Sequence, residues 1–351
     1  MSESIETIID SVCKGYDLDP DEAARIFNAL MAGHLADNHI EHLLTALADK
    51  GETVEEIVGA ARAMRQHVTR IACDKPDAID TCGTGGDGIS TFNVSTAAAI
   101  VAAGAGAKVA KHGNKSNTRK SGSAEVLRAL GVNIDAPPEV VARCIHEAGV
   151  GFLFAASLHP AMKHVVAIRR KIGRPTIFNL LGPLTNPAFV TRQVVGVPRP
   201  DLMETIARAL QQLGSAHALV VHGSDGLCDL TITGSSRIVE LRDGQLTNHT
   251  IHPEDFGLSP GPLDALRIDD PKHSAEAIRA ILNGETGPRR DHTLLNAAAA
   301  LRVANVAKDL KEGVQKATVA IDNGNATRTL EKLITFTTDT NENKNPSGAV
   351  V

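Results

Sequence analysis

Aromatic side chains are nearly missing from this chain, which has no Trp, one Tyr and eight Phe among 351 residues. So sparse a set cannot build the repeated stacking platforms that hold single-stranded nucleic acid. Charge points the same way. Lys and Arg number 36 against 41 Asp and Glu, leaving a net charge of −5, whereas a general nucleic-acid binder carries a basic balance or stripe. The five cysteines (Cys13, Cys73, Cys82, Cys144 and Cys228) are odd in number and include no Cys-x-x-Cys pair. Neither a disulfide framework nor a zinc ribbon is expected. No unbroken apolar run reaches the roughly 18 residues of a membrane span. The opening MSESIETIID lacks the basic-then-apolar order of a secretory signal, so the cytoplasm is the default location.

Glycine, by contrast, is plentiful, with 30 residues and no collagen-like period. Hydrophobic residues make up 42% of the chain, enough for a real core. Single cores stop growing at roughly 250–300 residues, so one large domain and a smaller one are expected. Residues 1–73 read as helices. Asp19-Pro20-Asp21-Glu22 offers an N-cap, a proline at N1 and a glutamate at N3, and Thr53-Val54-Glu55-Glu56 has capping-box spacing. From about residue 74 strands alternate with helices: Ala78–Cys82, Ala107–Lys111, Val150–Phe154 and Ala216–His222 as strands, Thr96–Ala103 and Ser123–Leu130 as helices. The segment His159–Arg170 returns to helix, which suggests an excursion back to the small domain. Asp243-Gly244 marks a hairpin, and residues 274–283 and 293–308 read as further helices. The last helix is expected to end at Ile334, ahead of a polar tail. The fold class is therefore α/β: a small all-helical domain from 1–73 and 160–188, and a larger α/β domain from 74–159 and 189–338 around a mixed, largely parallel sheet. Residues 339–351 read as a flexible tail.

Three clusters carry chemistry. In Thr81-Cys82-Gly83-Thr84-Gly85-Gly86-Asp87-Gly88, four glycines fall within six residues, followed by Thr91-Phe92-Asn93-Val94-Ser95-Thr96. Such a loop lets bare backbone amides approach an anion at a helix start; a capped glycine turn is the plainer alternative. The spacing matches neither the P-loop nor the dinucleotide fingerprint. The second cluster, Lys111-His112-Gly113-Asn114-Lys115-Ser116-Asn117-Thr118-Arg119-Lys120-Ser121-Gly122-Ser123, packs cations and hydroxyls after a strand, and reads as either a phosphate site or a solvated basic loop. Two such loops at strand ends favour one anionic ligand. Carboxylates beside phosphate imply magnesium, with Asp87, Asp225 and Asp229 as candidates. The third cluster holds Arg169 and Arg170, either of which could clamp a carboxylate, and the rigid turn Gly182-Pro183 to Asn186-Pro187.

The motifs GTGGDG with FNVST, KHGN with SGSAEVLRALGV, and TIFNLLGPLTNP together resemble the anthranilate phosphoribosyltransferase family, from about Leu18 to Ile334. The resemblance implies transfer of a phosphoribosyl group from 5-phosphoribosyl 1-diphosphate to the amine of anthranilate, a step of tryptophan synthesis. It also implies magnesium as cofactor, a homodimer and possible association with anthranilate synthase components. No nucleic-acid or membrane partner is expected. Carried over, it assigns Gly83, Gly86 and Asp87 to the diphosphate, with Thr91, Asn93, Ser95 and Thr96, and Lys111 and Ser123 to the donor; it places Val94 and the stretch Lys111 to Arg119 among the substrate-binding residues. That stretch includes His112, Gly113, Asn114, Lys115, Ser116, Asn117 and Thr118. Arg169 and Asn114 would meet anthranilate, with His112, Gly182 and Pro183 lining its approach. Arg169, Asn114, His112 and Lys111 form the expected catalytic set, His112 in orientation or, alternatively, proton relay. Ser95 and Asp229 would hold magnesium, with the Cys228 position or Asp225 as further candidates. The chain departs from the family at Lys115, at Thr118-Arg119, at Pro175-Thr176, and at Cys228-Asp229, where the family has Asp-Glu. A thiol is a poor ligand for a hard cation. Rival readings are a transferase for another aromatic acid, a pyrimidine nucleoside phosphorylase of the same fold, and a non-catalytic nucleic-acid-binding paralogue.

Overall fold

The computed structural model describes residues 4–116 and 121–339. Four helices come first: α1 (Ile5–Cys13), α2 (Pro20–Met31), α3 (Asp37–Lys50) and α4 (Val54–Gln66). The capping boxes expected at Asp19 and Thr53 both form. Glu56 closes the second of them and is fully buried. It accepts from the amides of Leu18 and Thr53 and from Lys50 Nζ, at 2.8–3.0 Å, the satisfaction a buried carboxylate requires.

The chain then alternates. β1 (Ile79–Asp80), α5 (Val94–Gly104), β2 (Val109–Gly113), α6 (Ser123–Ala129), α7 (Pro138–Arg143) and β3 (Val150–Phe154) lead to the short helices α8 (Ala155–Leu158), α9 (Val166–Ile172) and α10 (Phe178–Leu181). There follow β4 (Arg192–Gly196), α11 (Leu202–Gln212), β5 (His217–Gly223), β6 (Ser236–Arg242) and β7 (Gln245–Ile251). The helices α12 (Pro271–Leu282), α13 (Pro288–Val303), α14 (Leu310–Asp322) and α15 (Asn325–Thr338) close the fold. The expected hairpin turn is present, with positive φ at both Asp243 (49°) and Gly244 (75°), as a type I′ turn demands. The last helix runs to Thr338 instead of ending at Ile334: Leu330 and Leu333 bury one face, and Thr337 Oγ1 donates to the Leu333 carbonyl. β4, α7, α11 and α14 have no counterpart in the sequence reading.

The seven strands lie in the order β3-β2-β1-β4-β5-β6-β7. β1 to β5 are mutually parallel where they pair, and β6 and β7 add antiparallel edges. A small helical bundle and a larger α/β domain with a mixed, largely parallel sheet make up the architecture. Along β5, Leu219 and Val221 face one hydrophobic cluster while Ala218 and Val220 face another. This is the two-sided burial of a central strand covered on both faces of the sheet. The first cluster is roofed by α5, α12, α13, α14 and α15. The second joins the sheet to α11, to α1–α4, and to Val165, Ile168, Ile177 and Leu181 from the α9–α10 region. Chain order runs outward from β1 in both directions. The β1/β4 boundary is therefore the topological switch point, where open α/β sheets form a crevice at the carboxyl ends of their strands.

Candidate active site

The glycine loop leaves β1 directly over that crevice. Thr84 donates its amide to the Gly196 carbonyl at the end of β4 (2.9 Å). A Cβ on Gly83 would stand 2.8 Å from the same oxygen, so only glycine fits without displacement. Gly85, Gly86 and Gly88 take φ of 65°, 93° and 68°, the left-handed region that glycine enters freely. The loop runs into α5, whose N-cap is Asn93. Its Oδ1 accepts from the Thr96 amide (3.0 Å) and from Ser95 Oγ (3.1 Å), and its Nδ2 donates to Ser123 Oγ (3.3 Å). Ser123 thus braces the two loops together. It does not cap α6, whose N-cap is Gly122.

β2 supplies the next wall. Lys111 is fully buried, and its Nζ donates to Ser95 Oγ (3.1 Å) and Thr81 Oγ1 (3.4 Å). Burial holds its pKa below the ordinary lysine value, against attraction from the neighbouring Cys82, Asp80 and Asp229. Asp80 pins this wall to the acceptor side. Its Oδ1 accepts from the amides of Thr81 and His112, and its Oδ2 from Asn186 Nδ2 (2.7 Å).

Burial pushes the Asp80 carboxyl up to about 6, the hydrogen bonds and Lys111 pulling the other way. A raised acid pKa means the folded chain binds a proton that the unfolded chain has released. The stabilisation is therefore complete below the unfolded value of 3.8 and is lost as pH rises through about 6. We expect thermal melts of wild type and Asp80→Asn to differ in slope across this window, the wild type alone losing on the order of 3 kcal/mol as pH rises. Parallel slopes would show that Asp80 keeps its unfolded pKa.

His112 and His159 form a buried pair, Nε2 to Nε2 at 3.1 Å. Burial lowers both, to about 3 and about 4, so both rings are neutral at neutral pH. His112 Nδ1 lies 3.0 Å from the Gly182 carbonyl and must carry the proton. Its Nε2 then accepts from His159. With both ring nitrogens engaged, His112 holds the Gly182-Pro183 turn in place. Arg65 on α4 supports the same turn, donating from Nε to the Leu184 carbonyl (2.7 Å).

Arg169, near the end of α9, completes the pocket. Its guanidinium lies 5.5 Å from the Phe178 ring centre and donates to Asn179 Oδ1 (3.2 Å). Burial lowers its pKa from the usual arginine value. Of the two candidate arginines, Arg169 lines the pocket and Arg170 does not. The pocket has a volume of about 300 Å³. Of the residues singled out in the sequence, Gly83, Gly86, Asn93, Ser95, Lys111 to Ser116, Ser123, Arg169, Gly182 and Pro183 line it.

Other expected residues stand elsewhere. Thr91, Val94 and Thr96 are buried in the α/β core. Asn93 and Ser95 line the pocket, whereas Val94 and Thr96, between and after them, are buried. Asp87 accepts from the amide of Ile89 in its own loop and from that of Cys228 in the 227–230 segment (both 3.1 Å). Asn117, Thr118 and Arg119 lie outside the described residues. The sequence reading missed Cys82, Thr84, Ser121, Gly122, Ala155, Phe178 and Asn179 as lining residues. Phe178 and Asn179 sat inside a quoted motif but carried no charge to draw notice.

Among the metal candidates, Asp225 is committed to its turn, accepting from the Leu227 amide and from the hydroxyls of Thr231 (2.6 Å) and Thr233 (2.8 Å). These bonds shape the turn that carries it. The Cys228 thiol points at the Gly85 carbonyl (3.5 Å) and offers a soft atom where a hard cation needs oxygen. Ser95 and Asp229 do line the pocket with oxygen donors. They fit a cation that takes its other ligands from phosphate and water, as magnesium does. The cluster Asp80, Cys82 and His112 brings three potential ligand atoms within 4.8 Å, but its carboxylate and imidazole are already engaged and burial drives the thiol pKa upward.

A glycine-backbone loop, a buried lysine and a facing arginine at the switch point of an α/β sheet, with a helical bundle closing one side, define a glycosyltransferase-type architecture. Family descriptions agree: residues 6–68 match the helical bundle domain of a glycosyl transferase family, and residues 75–327 match its a/b domain. The chain is 49% identical over 333 residues to an anthranilate phosphoribosyltransferase of Symbiobacterium thermophilum, covering 95% of this chain and 98% of that protein. It is 50% identical over 329 residues to one of Rhodopseudomonas palustris, covering 94% and 97%. The crystal structure of the Thermus thermophilus enzyme superposes with a TM-score of 0.89 at 42% identity, covering 94% of this chain and 98% of that one. The Saccharomyces cerevisiae enzyme in complex with phosphoribosyl diphosphate and magnesium gives 0.86 at 29%, covering 95% and 98%. The chain belongs to the anthranilate phosphoribosyltransferase family.

Proposed function

We propose that this chain transfers the phosphoribosyl group of 5-phosphoribosyl 1-diphosphate to the amine of anthranilate, releasing diphosphate. The observation that carries this reading is one pocket with two chemically distinct walls. The glycine loop, Ser95 and Lys111 suit a diphosphate, whereas Arg169, Asn114 and the Gly182-Pro183 turn suit an aromatic carboxylate.

In this reading the lone pair of the aromatic amine attacks ribose C1 as the C1–oxygen bond to diphosphate breaks, and the amine then loses a proton to solvent. Aromatic amines are unprotonated near neutral pH, so the site needs no strong general base. This accords with a His112 whose nitrogens are occupied. Loop amides and Lys111 stabilise the charge that grows on the leaving group, as preorganised donors do. Arg169 and Asn114 hold the carboxylate so that the amine meets C1, and effective concentration supplies much of the rate. Magnesium, held by Ser95 and Asp229, supplies further charge neutralisation on the diphosphate.

The small domain is read as 1–73 with 160–188, supported by the shared burial of Val165, Ile168 and Ile177 with α2 and α4. A homodimer, association with anthranilate synthase components, a cytoplasmic location and the absence of nucleic-acid binding complete the proposal. The family resemblance supports the first two, and the charge of −5 supports the last. No helix among the described residues is long and apolar enough to cross a membrane.

Asp229→Asn tests the metal assignment. The magnesium concentration for half-maximal activity at fixed donor should rise about tenfold or more, the usual scale for a lost ligand or its support. An unchanged magnesium dependence would remove Asp229 from the site.

A further inference from the structure

Helix α13 carries a buried amide side chain that hydrogen-bonds the residue next to Asp229. Helix α13 is buried from His292 to Val303 almost without interruption, mostly by Ala and Leu. Asn296 is a polar exception in its middle. A buried polar group is costly unless its hydrogen bonds are met, and two of the three that Asn296 makes go to one residue 66 positions away. Its Oδ1 accepts from the Leu230 amide (3.0 Å), and its Nδ2 donates to the Leu230 carbonyl (2.8 Å) and to the His292 carbonyl of its own helix (2.9 Å). The side chain thus reads both backbone groups of Leu230 as a neighbouring strand would.

Residues 227–230 belong to no strand, so side chains replace the missing ladder. Asp87 Oδ2 accepts from the Cys228 amide (3.1 Å), and Asn296 brackets Leu230. Asp229 sits between these two anchors. A cavity of about 20 Å³ lies beneath it, lined by Asn296, Asp229, Ser95 and Thr81. That is room for about one water molecule among polar partners.

We infer that Asn296 is a positioning residue: through its two hydrogen bonds to Leu230 it holds the Asp229 carboxylate in the geometry that binds the magnesium–diphosphate group. This rests on the reading of Asp229 as a metal ligand. Asn296 is not among the residues lining the main pocket, so a merely structural role would weaken both substrates alike. A positioning role acts on the metal and donor side alone.

The experiment titrates phosphoribosyl diphosphate into the full-length protein by calorimetry over a magnesium series, with anthranilate affinity and thermal melts measured in parallel. For Asn296→Ala, the magnesium concentration giving half-maximal donor affinity should rise about 10–100-fold, the range seen when a partner of a metal ligand is removed, with anthranilate affinity unchanged. Asn296→Asp keeps the acceptor for the Leu230 amide and loses the donor, so its shift should be smaller in the same direction. Combining Asn296→Ala with Asp229→Asn should add little beyond Asp229→Asn alone, because both act on one contact. Wild-type magnesium dependence in either folded Asn296 variant, or equal loss of both substrates, overturns the inference. If Asp229→Asn itself leaves magnesium dependence unchanged, the metal assignment fails and not the clamp. Hydrogen exchange on the wild-type protein needs no variant: the Leu230 amide should be protected to the level of β5, and rapid exchange there would refute the clamp.

Discussion

Gly196→Ala should abolish phosphoribosyl transfer and destabilise the fold together. A Cβ at this position would lie 1.6 Å from the Cys228 carbonyl oxygen and 2.5 Å from its carbon. Both are backbone atoms, so no side chain can swing aside. Neither partner is free to retreat. β4 is paired on both edges, with β1 and β5, and the Cys228 amide is tied to Asp87. The carbonyl of Gly196 also receives the Thr84 amide of the glycine loop. Pushing either side therefore moves the diphosphate loop away from Asp229. Overpacking a core usually costs about 1–3 kcal/mol and occasionally more; contact this short with rigid backbone belongs at or above the upper end. We expect a melting temperature lowered by several degrees, on the order of 2–4 °C per kcal/mol for a chain of this size or somewhat smaller. The kcat/KM for phosphoribosyl diphosphate should fall at least about 100-fold, roughly 3 kcal/mol of transition-state stabilisation. Near wild-type stability and rate would mean that β4 and the Cys228 loop are not in this contact.

Arg169→Ala should separate the two substrates. The guanidinium lies on the acceptor side, over Phe178 and against Asn179, away from Lys111 and Ser95. Truncating one partner of a hydrogen-bonded charge pair that is shielded from solvent costs about 2–5 kcal/mol. The kcat/KM for anthranilate should drop on the order of 100-fold or more, while donor affinity measured by calorimetry stays at the wild-type value. Arg169→Lys should recover little, because an ammonium cannot reproduce the planar two-point fork that a carboxylate accepts. Equal losses for both substrates would place Arg169 outside the acceptor site.

Much of this arrangement was legible in the sequence where the signal was local. Asp19, Thr53 and the Asp243-Gly244 turn announce themselves within four residues, and the structure forms each of them. The glycine loop was legible for the same reason: it must turn and expose amides within a few residues. What escaped notice depends on distant partners. β1 spans only Ile79–Asp80 and β4 five residues, so their pairing, and with it the switch point, is a property of the sheet and not of either segment. Thr96 belongs to a hydroxyl-rich motif, but the start of α5 turns it into the core. The sequence assigns His112 an orienting role without naming its partner; His159, 47 positions on, stands at its second nitrogen. Asn296 gives no warning within an Ala- and Leu-rich helix, because its purpose lies at Leu230.

The most direct measurement of the central claim follows anthranilate fluorescence when purified protein is mixed with phosphoribosyl diphosphate and a magnesium series, with released diphosphate quantified alongside. The site described here predicts magnesium-dependent loss of fluorescence, with one diphosphate released for each anthranilate consumed. Absence of turnover across the whole magnesium range, or diphosphate release without anthranilate consumption, would contradict it.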